Sequence, residues 1–149
     1  MKNLKIDIAN YFLALIIVNI ILHYFIPIKQ IIFFPYRWLG IILFIIGWIP
    51  NIWLGILFKR IGTSIPACQI PKKLVTSGFF RISRNPNYLG MVIALFGETI
   101  FLGSLVTFII PVLFFILINK INIPIEEENL EKKFGKKYLD YKKKVRKWL

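Results

Sequence analysis

Two short polar segments in a mostly apolar chain carry residue types suited to ligand chemistry. Arg84-Asn85-Pro86-Asn87-Tyr88 opens a long apolar block, and Glu126-Glu127-Glu128 follows Pro124 after it. Proline in a first helical turn leaves free backbone N–H groups and the positive helix end facing outward, a ready place for a carboxylate or phosphate. An ordinary turn followed by a helix start explains the same residues without a ligand. Pro124 followed by acids predicts a second helix N-terminus, where Glu126 to Glu128 would complement the dipole. Other chemistries lack their residues. His23 is the single histidine and Cys68 the single cysteine, which removes a disulfide framework, a multi-cysteine or histidine-rich metal site and a Ser-His-Asp triad. No metal is expected.

The elements that must position these segments are helices in a membrane. The 149 residues allow one domain, 1–149. They are 57% hydrophobic and 18% charged, with a mean hydropathy of +0.67, against roughly 45–50% and about 25% in soluble domains. Trp38 to Phe58 is free of charge, and Tyr88 to Asn119 carries only Glu98. Apolar runs of about 18–20 residues read as spans. The expectation is an all-α polytopic protein with four spans at about 8–26, 38–58, 87–102 and 104–121. The first run is too long for a signal peptide. Pro50 and Asn51 are expected to kink the second. The third and fourth form a tight hairpin, because 32 residues from Tyr88 to Asn119 are too many for one crossing and Gly103-Ser104 lies near their middle, with Gly97 before it.

Charge fixes the expected orientation. Four spans place the N-terminus, the loop 59–86 and the C-terminal tail on one side, with 18 Lys or Arg, and leave Lys29 and Arg37 opposite. Both termini and the loop are therefore expected in the cytosol. The net charge of +13 is accounted for by topology and by attraction to anionic membrane lipids, and no nucleic-acid partner is expected. The loop exceeds the length of simple connections, and its Phe, Ile, Leu and Val content argues against disorder. In the tail, Leu130, Phe134, Tyr138, Tyr141, Val145 and Trp148 recur at spacings of 4, 4, 3, 4 and 3. That predicts an amphipathic helix over about 124–149, lying on the membrane or packed over the loop. Glu98 is an acid inside a span, a position that is functional by default and structural on the plainer reading; His23 near a span end needs no special role.

Three blocks together resemble a known family: Leu74-Val-Thr-Ser-Gly78, Arg84-Asn-Pro-Asn-Tyr88-Leu-Gly90, and Glu126-Glu127 with Leu130, Phe134-Gly135, Tyr138 and Tyr141. They look like the isoprenylcysteine carboxyl methyltransferases, part of a wider group with phospholipid N-methyltransferases. The resemblance covers residues 62–146. It implies an S-adenosylmethionine-dependent methyltransferase in the membrane, with the cofactor between the loop and the acidic start of the tail helix. It places cofactor contacts on Lys72, Lys73, Leu74, Val75, Phe80, Asn85, Pro86, Asn87, Tyr88 and Glu126, and catalytic roles on Arg84 and Glu127. Asn85 stands where eukaryotic members have His. Asn122 stands where they have a substrate-binding Arg, and Lys120 is the nearest cation to take that part.

The implied chemistry suits a chain poor in His and Asp. Transfer from a sulfonium is an in-line displacement, in which alignment alone can contribute about 7–11 kcal/mol. A carboxylate acceptor is ionised at neutral pH and needs no base. A phospholipid amine must first lose a proton, to Glu127 or to water, and a thiol lies between. The expected acceptor is lipidic or prenylated and comes from the bilayer. Carboxyl O-methylation leads, with phospholipid N-methylation and thiol S-methylation as alternatives. A sterol-reductase-like protein using NADPH is a further alternative, as is a small scaffold without activity.

Overall fold

The computed structural model describes residues 8–26, 29–62 and 73–149. These form α1 (Ile8–Phe25), α2 (Arg37–Arg60), α3 (Pro86–Leu102), α4 (Ile109–Leu117), α5 (Ile123–Phe134) and α6 (Lys136–Lys144), with short 3₁₀ turns at Gly78–Arg81 and Leu105–Phe108. The described residues contain no strand beyond one isolated bridge, Gln30 to Ser104. Three helices are long and apolar enough to cross a membrane: Ile8–Phe25, Arg37–Arg60 and Leu105–Phe134. Pro86–Leu102 is apolar but shorter, with 17 residues. At 1.5 Å per residue it reaches about 25 Å, against about 30 Å of hydrocarbon. Of the four expected spans, three are thus long enough to cross, and the third, expected as a short helix at about 87–102, is the short apolar helix Pro86–Leu102.

The second helix runs on through Pro50, with Asn51 Nδ2 donating to the Gly47 carbonyl at 3.0 Å. The expected hairpin is present. Gly103 ends α3 with a positive φ of 77°, a conformation that glycine adopts without steric cost. Gly97 is no part of that turn. It lies inside α3, where a Cβ would overlap the backbone of Gly40 and Phe44; one on Gly47 would overlap Gly90 and Ala94. The second and third helices therefore meet backbone to backbone, the close approach that small residues permit in lipid.

Polar groups secure the hairpin tip. Ile31 and Ile32 donate to the Gly103 carbonyl at 2.8 and 3.2 Å. Arg37 donates to the carbonyls of Phe101 and Leu102 at 2.5 and 3.1 Å, satisfying groups that a helix end leaves open. His23 Nδ1 lies 2.6 Å from Ser104 Oγ. Deeper in the bundle, Asn19 Nδ2 donates to Glu98 at 3.2 Å and to Thr99 at 3.1 Å. Glu98 thus ties α1 to α3, within a buried polar group away from the loop and tail.

The tail departs most from expectation. The fourth helix does not break off near residue 121: α5 begins at Ile123 with Pro124 in its first turn, but it continues directly from the helix before it. One helical run of 30 residues, Leu105–Phe134, passes through a π-turn at Ile118–Asn122. Pro124 has no N–H for the carbonyl four residues back, and the wider i→i+5 turn sits where that bond is missing. The expected single helix over 124–149 breaks at Gly135, where φ is 51°, and α6 stops at Lys144. Residues 145–149 continue without helix.

Candidate functional site

The turn before α3 and the acidic pair on α5 come together at one end of the bundle. Tyr88, in the first turns of α3, is 2% exposed. Its hydroxyl donates to Glu126 Oε1 at 2.6 Å. Glu126 has no ion-pair partner among the described residues. Glu127, the next residue, turns the other way. Its Oε1 is 2.9 Å from Arg84 and its Oε2 is 3.2 Å from Lys142. Glu128 faces outward and pairs with Lys132, four residues on, at 2.5 Å.

Arg84 is the hub of this end. Besides Glu127, its guanidinium donates to the carbonyls of Lys142 and Val145 at 3.0 and 3.3 Å, closing the open end of α6. Its backbone N–H donates to Arg146 O at 3.0 Å. Its Nε is buried without a partner among the described residues. Asn85 is buried and donates from Nδ2 to Lys147 O at 3.0 Å, and Ser83 Oγ donates to the same carbonyl at 3.3 Å. Two residues assigned by resemblance to catalysis and cofactor binding are therefore also a clamp on the tail. Phe80 takes part through its carbonyl, which accepts from the Tyr141 hydroxyl at 2.7 Å. Burial pushes the Tyr141 phenol up to about 12, so it is a neutral donor throughout the working pH range.

Pro86 and Asn87 occupy the first turn of α3, Pro86 buried and Asn87 half-buried. Leu74 and Val75 are half-buried in the segment leading to the 3₁₀ turn, and Lys73 is exposed. Lys72 and Cys68 lie outside the described residues. Lys120 sits on the π-turn and is exposed. Its neighbour Asn119 is the residue engaged with the tail, accepting from Trp148 Nε1 at 3.3 Å and from Lys147 Nζ at 3.4 Å. An open cleft of about 450 Å³ lies between α5 and α6, lined by Pro124, Glu127, Glu128, Glu131, Lys132 and Lys142. Glu127 lines it, and Tyr88 and Glu126 do not.

Sequence reasoning missed Ser83, Asn119 and Lys142. Lys142 stands among many lysines, and the other two carry no local signal. Tyr141 and Trp148 were visible as members of the apolar stripe, but not as hydrogen-bond donors.

An all-helical membrane protein with a half-buried carboxylate, a tyrosine and an arginine hub at one end defines a polytopic protein with a polar site at the edge of the apolar layer. The profile of the phospholipid methyltransferase family matches residues 35–137, and the chain belongs to that family. It is a membrane methyltransferase by that membership. An uncharacterized protein of Haemophilus influenzae is 40% identical over 62 residues, covering 42% of this chain and 98% of that protein. No solved structure matches.

Proposed function

We propose that the protein transfers a methyl group from S-adenosylmethionine to a lipidic acceptor drawn from the bilayer. The Tyr88–Glu126 hydrogen bond carries this reading, because it joins the first turns of α3 to α5 around a carboxylate with no ion-pair partner among the described residues. The residues fit the cofactor's polar groups. Glu126 suits an ammonium or ribose hydroxyls, and the free Nε–H of Arg84 suits a carboxylate. The Tyr88 ring can face a sulfonium, a contact worth about 0.5–2 kcal/mol. Bound there, S-adenosylmethionine supplies a methyl group already activated by positive charge.

Within this reading Arg84 and Glu127 position the site. Both Glu127 oxygens are engaged by cations, so the side chain is occupied in holding Arg84 and Lys142 and is not presented to an acceptor. That favours an acceptor that needs no base, a carboxylate, as in the isoprenylcysteine type. The second reading, a phospholipid amine, is favoured by the family's own description, and would leave deprotonation to Glu126 or to water. The test is incubation of the purified protein with methyl-labelled donor and a total lipid extract. Label in a lipid that mild alkali releases as methanol supports the ester; alkali-stable label in a headgroup supports the amine. No transfer to any lipid would reject the proposal.

We also propose that the loop and both termini face the cytosol. Cys68 is the only thiol, so an impermeant thiol reagent should label it in opened cells and leave it untouched in intact ones. Labelling from outside would reverse the orientation.

A further inference from the structure

We propose that the basic end of the tail, Lys143, Lys144 and Arg146, is a docking surface for anionic phospholipid headgroups of the protein's own bilayer, and that this docking adds to the hydrogen bonds that hold the terminal segment 145–149. The geometry of α5 and α6 carries the inference. From Asn119 to Phe134 the long helix rises by about 22 Å at 1.5 Å per residue. The chain then turns at Gly135 and must return, since Trp148 and Lys147 bond to Asn119. Nine helical residues plus a few extended ones cover about that distance. The helix α6 therefore descends alongside α5, and its C-terminal end reaches the edge of the apolar layer.

That edge is marked independently. The Trp148 ring packs on Phe115 at 4.9 Å. Phe115, Ile116 and Leu117 are exposed apolar residues of the spanning helix, where lipid would cover them. An indole with its N–H bonded and its ring on apolar surface is the usual interfacial anchor.

The charges follow from this placement. Tyr138 and Tyr141 bury one face of α6. Lys143, Lys144 and Arg146 are exposed, and none of the three forms an ion pair among the described residues. Lys120 is exposed on the π-turn at the same level. The acids of this region are higher up: Glu127 and Glu131 face Lys142, and Asp140 lies a turn above Lys144. The terminal segment itself is held chiefly through its backbone carbonyls, by Ser83, Arg84 and Asn85, which leaves the Arg146 side chain free for the headgroups.

Hydrogen exchange of the 136–149 region, measured on the full chain in nanodiscs, tests the idea without reference to activity. Anionic phospholipid should slow exchange there by roughly tenfold or more relative to zwitterionic lipid, given three charges near the surface. Replacing Lys143, Lys144 and Arg146 together by Gln should abolish the difference. Lys136 and Lys137 sit a Debye length of about 8–10 Å or more farther from the surface, and replacing them by Gln should preserve it. Equal exchange of the parent in the two membranes, or equal loss on replacing the far pair, would overturn the proposal. Because no methyl transfer is read, neither result bears on the proposed reaction.

Discussion

Replacing Glu126 by glutamine is expected to lower affinity for S-adenosylmethionine by about ten- to hundredfold with little change in fold. The plainer role for this residue was a helix-start acid, with a stabilising effect of about 0.3–1 kcal/mol. Glu126 does lie in the first turn of α5, but that turn continues a helical run from Leu105, so it is not an open helix start whose N–H groups an acid would complement. What remains is a half-buried carboxylate with Tyr88 as its donor at 2.6 Å. A charge-assisted hydrogen bond from a ligand to such a group is worth about 1.5–3 kcal/mol, and each 1.4 kcal/mol is about tenfold. Glutamine keeps the size and can still accept from Tyr88, so the loss isolates the charge. Glu128→Gln is the control. Its exposed pair with Lys132 is of a kind worth under about 1 kcal/mol, and donor affinity should not move. Calorimetric titration of parent and both variants decides; equal affinities for all three would remove Glu126 from the site.

The membrane helices were legible in the sequence because hydropathy is summed along the chain. Ile8 and Arg37 begin helices within a residue of where the charge pattern had placed them, and Leu102 ends one where Gly103-Ser104 had placed the turn. The tail was misread for a physical reason. Proline followed by acids marks a helix start, but the same pattern follows a π-turn, where proline's missing N–H is already accommodated. The apolar stripe from Leu130 to Trp148 also ran through Gly135 without a phase change in the sequence, so the break there was not marked. The meeting of Tyr88 with Glu126 was reachable only through the spacing of three blocks. The clamp of Ser83, Arg84 and Asn85 on residues 142–147 was not reachable at all, since backbone carbonyls some sixty positions away leave no trace in side-chain pattern.

Glycine was the other silent signal, and it carries the second large effect. Gly40 and Gly47 lie two turns apart on α2, and Gly90, Ala94 and Gly97 line the facing side of α3. A hydropathy scale sees these positions as neutral. Gly47→Ala is expected to destabilise the protein by about 2–3 kcal/mol, the upper range for overpacking. The added Cβ would meet the backbone of Gly90 and Ala94, which has no flexible end to swing aside. In lipid, where helices associate by close packing rather than by a hydrophobic drive, forced separation loses the contact along both helices. It would also shift Gly90, two residues after Tyr88, and so loosen the Tyr88–Glu126 bond. Gly55 is the matched control on the same helix, with nothing near its Cβ position. There alanine should be neutral or stabilising by up to about 1 kcal/mol, as helix propensity predicts. Thermal unfolding in detergent should therefore show a lower midpoint for Gly47→Ala and an unchanged or higher one for Gly55→Ala. Matching midpoints for the two variants would mean that α2 and α3 do not touch through their glycines.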